Sequence, residues 1–327
     1  MNGMRGTLTH IKAPIVSELS SFQNYFKETM KSNVPLLDTV TRYLIKHRGK
    51  QIRPMFVFLA AKVCGEISES SYTAASMMEI LHTATLVHDD VVDDAVERRG
   101  FFSIKALWKS KLAVLIGDYL FSRGMLIALR KKEYQLLEIL SEAVEAMAEG
   151  ELLQMEKARR LDINESVYYD IIKRKTASLI TASCRAGASS VKASEYEIDQ
   201  MGLFGERIGI AFQIRDDLFD YGTKDVGKPL GIDIKEKKMT LPLIYALNQA
   251  DFLKRRRIIR LIKKHNTKPS AIKEVIEFVQ HSGGLEYAKS VMLDYREEAF
   301  KILHQFPLSP ARESMEELVT YVTNREK

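Results

Sequence analysis

Apolar residues recur at spacings of three and four along nearly the whole chain, with good helix formers between them and almost no alternating runs, so the pattern predicts an all-α fold. Breaks are predicted at 32–35, 47–50, 65–71, 100–103, 161–164, 222–231, 266–269 and 282–284, where Gly, Pro, Ser and Asn gather. These delimit about a dozen helices. No low-complexity tract or fixed repeat of solenoid length is present, so residues 1–327 read as a single helical domain. Two Asp-Asp-x-x-Asp segments begin at positions 89 and 216, 127 residues apart, which hints at pseudo-symmetry between halves. Their surroundings differ too much for a repeat.

Composition narrows the class. At 327 residues, 46% hydrophobic and 28% charged, the chain can bury a large core, and 17 Gly and 8 Pro leave little material for hairpins. Cys64 and Cys184 stand far apart with no Cys-x-x-Cys or Cys/His cluster, which excludes a disulfide framework or zinc site and predicts a reducing, cytoplasmic setting. The N-terminal residues lack an apolar signal core, and no run approaches the roughly 18 apolar residues a membrane span needs, so no membrane-spanning segment is expected. The net charge of +6 is mild, so the placement of charges matters more than their sum.

The stretch Met77 to Gly100 carries the chemistry. Met77, Met78, Ile80, Leu81, Ala84, Leu86 and Val87 leave no wide polar stripe, the mark of a buried helix, and then Asp89, Asp90, Asp93 and Asp94 follow. Asp89 and Asp93, at i and i+4, share a face; like charges there destabilise a helix unless a cation joins them. Asp216, Asp217 and Asp220 repeat the arrangement after Ile208, Ile210, Ala211, Phe212 and Ile214, with Asp216 and Asp220 expected on one face. Two such helices in one domain are expected to ring a cavity mouth with carboxylates. Donor sets made only of oxygen suit Mg²⁺, which retains waters and shares substrate phosphates. Basic residues stand where phosphates need them: Lys50 and Arg53 at a helix start, Arg98 and Arg99 after the first acidic face, then Lys175, Lys228, Lys237 and Lys238.

In this order the residues resemble the trans-type, head-to-tail isoprenyl diphosphate synthases, a family of farnesyl, geranylgeranyl and long-chain polyprenyl enzymes. The likeness spans Gly49-Lys50-x-x-Arg53-Pro54, His82, Asp89-Asp90-x-x-Asp93, Arg98-Arg99-Gly100, Gly117-Asp118, Lys175-Thr176, Phe212-Gln213-x-x-Asp216-Asp217-x-x-Asp220, Gly227-Lys228 and Asp233 to Lys238. It implies one large helical bundle of the isoprenoid synthase type I fold around a central apolar cavity. It implies that Asp89, Asp93 and Asp216 ligate a cluster of about three Mg²⁺, for which Mn²⁺ substitutes, with Asp90, Asp217 and Asp220 supporting or binding through water. The allylic diphosphate then falls to Arg98, Lys175, Thr176, Gln213, Lys228 and Lys238, with Asp233 nearer the metals. Isopentenyl diphosphate falls to Lys50, Arg53, His82 and Arg99. Catalysis rests on Asp89, Asp93, Asp216, Lys175 and Lys228.

The implied reaction is ionisation of an allylic diphosphate, attack by the isopentenyl alkene, and loss of a proton; no Ser, Cys or His nucleophile is needed. Water must be kept from the cation. Chain length is expected to be set by Ala84, Thr85, Leu81, Met78 and Met77, since one helical turn rises about 5.4 Å, close to one isoprene unit. Small residues at 84 and 85 predict a long all-trans product of about C30 to C45, with C40 the central expectation. A geranylgeranyl or geranylfarnesyl synthase, or the catalytic subunit of a two-subunit enzyme, is the alternative. The second all-Asp motif disfavours a terpene cyclase or head-to-head coupling enzyme, and retention of both motifs disfavours a non-catalytic partner. The resemblance suggests a homodimer, with at most peripheral membrane contact. The basic run from Lys254 to Lys264 interleaves with Ile258, Ile259, Leu261 and Ile262, so it reads as the solvated face of an amphipathic helix and not as a nucleic-acid site.

Overall fold

The computed structural model describes residues 8–47, 49–95, 97–98, 101–161, 163–222 and 230–324. Helices dominate them. In chain order these are α1 (Val16–Thr29), α2 (Pro35–Lys46), α3 (Ile52–Cys64), α4 (Glu69–Val92), α5 (Ile104–Lys131), α6 (Tyr134–Arg160), α7 (Glu165–Ile172), α8 (Ser178–Ser190) and α9 (Glu195–Phe219). After them come a single turn, α10 (Ile232–Lys235), and α11 (Leu241–Gln249), α12 (Phe252–His265), α13 (Pro269–Gln280), α14 (Gly284–Leu303) and α15 (Pro310–Asn324). A π-helical turn, Lys173–Ala177, links α7 to α8. The expected break at 100–103 is a minimal hairpin instead: β1 (Glu97–Arg98) pairs antiparallel with β2 (Phe101–Phe102).

Contacts divide the chain into two compact units, each built from separate stretches: Met1–Glu142 with Ala182–Gly202 and Phe306–Met315, and Ala143–Thr181 with Leu203–Gln305 and Glu316–Lys327. Four of the five boundaries fall inside helices α6, α8, α9 and α15, where the sequence offers no linker signal; the fifth, between Gln305 and Phe306, follows the end of α14.

In the first unit, Ser68 starts α4 with a reciprocal cap to Ser71, and eight consecutive residues of α3, Pro54 to Ala61, are buried. Phe22, Phe58 and Tyr72 stack edge to face, with centroids 5.8 Å and 5.2 Å apart. Helices α4 and α5 run antiparallel along a stripe of small residues. A Cβ on Gly117 would lie 2.1 Å from His88 Nε2, and one on Gly124 would lie 3.7 Å from Ile80 Cγ2. Gly117 therefore admits the His88 ring.

Helix α5 departs from the sequence reading. It holds an 18-residue window of mean hydropathy 1.6, long and apolar enough by composition to cross a membrane, with 33% of that window buried. Ala113, Ile116, Leu120 and Ala128 are buried on one side, whereas Leu107, Val114, Leu115, Leu126 and Leu129 are exposed on the other. Scattered polar residues hide this two-sided pattern from a search for unbroken apolar runs.

The second unit centres on Ile210, Ile214, Tyr221, Leu241, Ile244, Leu247, Ile258, Ile262 and Val275, all buried in one apolar cluster.

Candidate active site

The first acidic face closes α4. Asp93 caps the helix with its N–H on the Asp89 carbonyl at 2.8 Å, so the i, i+4 relation persists to the last residue. Asp89 is half-buried and Asp93 exposed, while Asp90 is 4% exposed. On the same helix, Glu79, His82, Thr83, Leu86, Val87 and Asp90 line a cavity whose other wall is Tyr43, Leu44, His47, Gly49 and Phe101 to Ile104. His82 thus lines a cavity. Lys50 is exposed and Arg53 half-buried at the start of α3, where Gln51 takes a left-handed conformation (φ 55°). Arg99 lies outside the described residues, as does the side chain of Arg98; the paired strands on either side, Glu97–Arg98 and Phe101–Phe102, are described.

An aromatic clamp holds that hairpin. The Tyr43 hydroxyl donates to the Phe102 carbonyl at 2.8 Å, the His47 ring packs on Phe101 with centroids 4.1 Å apart, and Tyr43 meets Trp108 edge-on at 5.5 Å. Ser103 caps α5 and also donates to the Ala95 carbonyl at 2.7 Å. The strands flanking Arg99 are therefore fixed from α2. The sequence carries only a faint signal for this, aromatic and His residues on one face of a helix.

Of the chain-length residues, Ala84, Leu81, Met78 and Met77 are each 1% exposed and Thr85 is half-buried, its hydroxyl turned back to the His82 carbonyl at 2.9 Å. Ala84 sits between Ile80 and His88 on the stripe of α4 that packs against α5.

The second acidic face closes α9. With the 127-residue offset, positions 84–90 and 211–217 repeat the same order of buried and half-buried residues, so Asp216 is presented like Asp89 and Asp217 like Asp90. The third carboxylates diverge. Helix α9 ends at Phe219, and the Asp220 N–H bonds the Asp217 carbonyl at 3.3 Å, a tightened i to i+3 turn. Asp220 therefore leaves the Asp216 face expected of it. Its carboxylate accepts from the N–H groups of Ile232 (2.8 Å) and Asp233 (3.2 Å) and holds the start of α10. Burial and the nearby Asp233 charge weaken it as an acid, raising its pKa to about 6 against the pull of those amides.

Asp217, 4% exposed, accepts from Tyr168 OH at 2.7 Å and Gln213 Nε2 at 2.8 Å, and Gln213 Oε1 accepts from Thr176 at 2.7 Å. Burial, then the charge of Asp233, raises the Asp217 carboxyl well above the usual range. Tyr168, absent from the sequence-derived site, thus buttresses the acidic helix from α7. Thr176 and Lys175 ride on the π turn, a form common at functional sites. That turn is packed between two glycines: a Cβ at Gly150 would sit 2.7 Å from Lys175 N, and one at Gly209 would sit 2.4 Å from Ala177 Cα. Lys175 pairs with Glu151 and reaches Gln154 at 3.4 Å; Lys238 pairs with Glu236 and lies 3.7 Å from Asp233. Lys175, Thr176, Gln213, Asp217, Asp233, Lys238 and Tyr168 line one cavity. Lys228 lies outside the described residues.

Each acidic face by itself offers carboxylate oxygens only, the donor type that suits Mg²⁺: a helical i, i+4 pair on the first, and Asp216 on the second. Among the described residues no group of three or more His, Cys, Asp or Glu is gathered tightly enough to hold a metal by itself, so a bound Mg²⁺ would draw its remaining ligands from water and phosphate.

Residues 34–279 match the polyprenyl synthetase family model. The chain is 35% identical to an all-trans-nonaprenyl-diphosphate synthase (geranyl-diphosphate specific) of Rhodobacter capsulatus, over 96% of this chain and 97% of that protein. It is 36% identical to a short chain isoprenyl diphosphate synthase of Methanothermobacter thermautotrophicus, over 88% and 89%. The crystal structure of a polyprenyl synthase from Caulobacter crescentus CB15, complexed with calcium and isoprenyl diphosphate, superposes with a TM-score of 0.90 at 31% identity, covering 98% of each chain. A cavity lined by lysine and glutamine, two carboxylate-terminated helices and a helical fold that superposes over 98% of the chain lead to one assignment: this chain belongs to the polyprenyl synthetase family and is a trans-prenyl diphosphate synthase.

Proposed function

We propose that the protein builds a long all-trans polyprenyl diphosphate, about C30 to C45 and centred near C40, by repeated addition of isopentenyl diphosphate to farnesyl or geranyl diphosphate. The observation that carries the length is the pairing of small Ala84 and Thr85, one turn before Asp89, with bulkier Leu81, Met78 and Met77 about one to two turns deeper, all on α4. Relatives with long and short products match at similar identity, so product length rests on these side chains and not on kinship.

Asp89, Asp93 and Asp216 hold the metal, and Asp90, Asp217 and Asp220 set the helices that carry them. When bound, Mg²⁺ neutralises charge on the diphosphate leaving group. Lys175, Thr176, Gln213 and Lys238 bind the allylic diphosphate; the two lysines exchange their carboxylate partners for phosphate oxygens. Lys50, Arg53 and His82 hold isopentenyl diphosphate. The allylic C–O bond breaks with its electron pair on the departing diphosphate, C4 of the isopentenyl alkene bonds to the allylic carbon, and a C2 proton passes to that diphosphate. Apolar helix faces exclude water from the cation.

Sizing labelled chains made from isopentenyl and farnesyl diphosphates with Mg²⁺ tests the product directly. A ladder ending at C15 or C20 would overturn the length. Asp89→Ala and Asp216→Ala are expected to lower kcat by orders of magnitude with the fold retained. Ala84→Tyr is expected to shorten the product to about C15, since a ring there fills a full helical turn of about 5.4 Å.

The open apolar face of α5 beyond the kink at Lys109, Val114, Leu115, Leu126 and Leu129, fits a second copy of this chain, because such an exposed apolar stripe is costly in water. Sedimentation equilibrium of the purified protein is expected to give a dimer, and Leu115→Glu a monomer. A wild-type monomer would refute that.

A further inference from the structure

Helix α12 carries a surface that the prenyl transfer does not use. Its 14 residues, FLKRRRIIRLIKKH, include seven Lys and Arg and no acid. Ile258 and Ile262 are fully buried and fix which side faces inward. At 100° per residue, Leu253, Arg256, Arg260, Lys263 and Lys264 fall on the opposite side, with Phe252 at its edge. All six are exposed.

Two observations set this face apart from an ordinary solvated one. Phe252 and Leu253, at 74% and 75%, are the most exposed large apolar side chains among the described residues, and they stand side by side at the first turn. Their place is fixed, because Asp251 caps the helix by accepting from the Lys254 N–H at 2.9 Å. The cations on the outward side also make no ion pair among the described residues. Only Arg257, on the flank, is paired, with Glu274 at 2.7 Å, and Lys254 lies over the Phe278 ring at 5.8 Å. These flank contacts orient the helix and leave the outward cations to an external anion.

We infer that this face docks on an anionic phospholipid bilayer, with Arg256, Arg260, Lys263 and Lys264 at the headgroups and Phe252 and Leu253 inserted at the acyl boundary. A nucleic acid would meet the same charges but gains nothing from Leu253, which neither stacks on a base nor bonds to one. A bilayer is also the phase in which the hydrocarbon chain of a prenyl diphosphate dissolves.

The test is sedimentation of the full-length protein with vesicles of phosphatidylcholine, alone or mixed with phosphatidylglycerol. Binding is expected to the mixed vesicles only, and to fall with salt. Each outward cation is expected to contribute about fivefold, so the double variant Arg256→Glu, Arg260→Glu should bind at least about 25-fold more weakly. Phe252→Ser, Leu253→Ser should weaken binding to the same vesicles while retaining its charge. Both variants should keep wild-type circular dichroism and turnover in detergent solution. Equal binding to neutral and mixed vesicles, binding unchanged in either folded variant, or tight binding to single-stranded RNA that is indifferent to Phe252 and Leu253 would each overturn the inference.

Discussion

Gly209→Ala is an informative perturbation because two effects of opposite sign meet at one atom. On helix propensity alone, alanine in place of glycine within α9 stabilises by about 0.8–1.0 kcal/mol. The new Cβ, however, would lie 2.4 Å from Ala177 Cα and 2.5 Å from Ala177 Cβ, against backbone that cannot swing aside. Restoring ordinary contact requires the π turn to retreat by more than 1 Å, and overpacking of this kind costs about 1–3 kcal/mol. Taking the upper end, the net change is about 2 kcal/mol of destabilisation, roughly thirtyfold in the folding equilibrium. The retreat also stretches the Thr176–Gln213 bond of 2.7 Å one turn further along α9, so kcat with an allylic primer should fall beyond what lost stability explains. The control is Gly124→Ala, whose Cβ would meet Ile80 at 3.7 Å, ordinary contact, and which should stabilise by up to about 1 kcal/mol. Denaturant unfolding and isopentenyl incorporation measure both. If Gly209→Ala proves as stable and active as Gly124→Ala, the packed π turn does not position Lys175 and Thr176.

Tyr43→Phe deletes the bond to the Phe102 carbonyl, worth about 1 kcal/mol; initial rates should show KM for isopentenyl diphosphate raised about fivefold with kcat little changed. Tyr168→Phe removes a donor from buried Asp217 and should cost about 1–3 kcal/mol in urea unfolding while lowering kcat; an unaltered kcat would refute the buttress. Burial, reinforced by the Glu197 charge, pushes the Cys64 thiol up to about 12, and burial raises Cys184 further, so at pH 8 almost no thiolate exists at either. Native protein should therefore react slowly with a thiol reagent until denatured, and one fast-reacting thiol per native chain would contradict the packing.

Much of the fold was legible because the 3.6-residue period is local. Breaks at 32–35, 266–269 and 282–284 coincide with helix ends at Pro35, Pro269 and Gly284. Turns at Lys132 and Lys192 went unmarked: both take positive φ, 58°, in residues that seldom advertise it. The division into two units inside continuous helices, and the hairpin at Glu97 to Phe102, depend on contacts with no sequence period.

The sequence by itself determined the all-α class, the two acidic helix ends and the cations that accompany them, since residue spacing on a helix dictates what shares a face. Only the tertiary structure decided how the two like motifs differ. Asp93 stays exposed on the Asp89 face, whereas Asp220 turns to cap α10 and Asp217 is held by Tyr168, 49 residues away. Likewise Tyr43 grips the arginine hairpin across 59 residues. The buried Tyr168–Asp217 pair is selected because a buried polar group must find a partner, and both pairings depend on which helices pack together and not on any spacing along the chain.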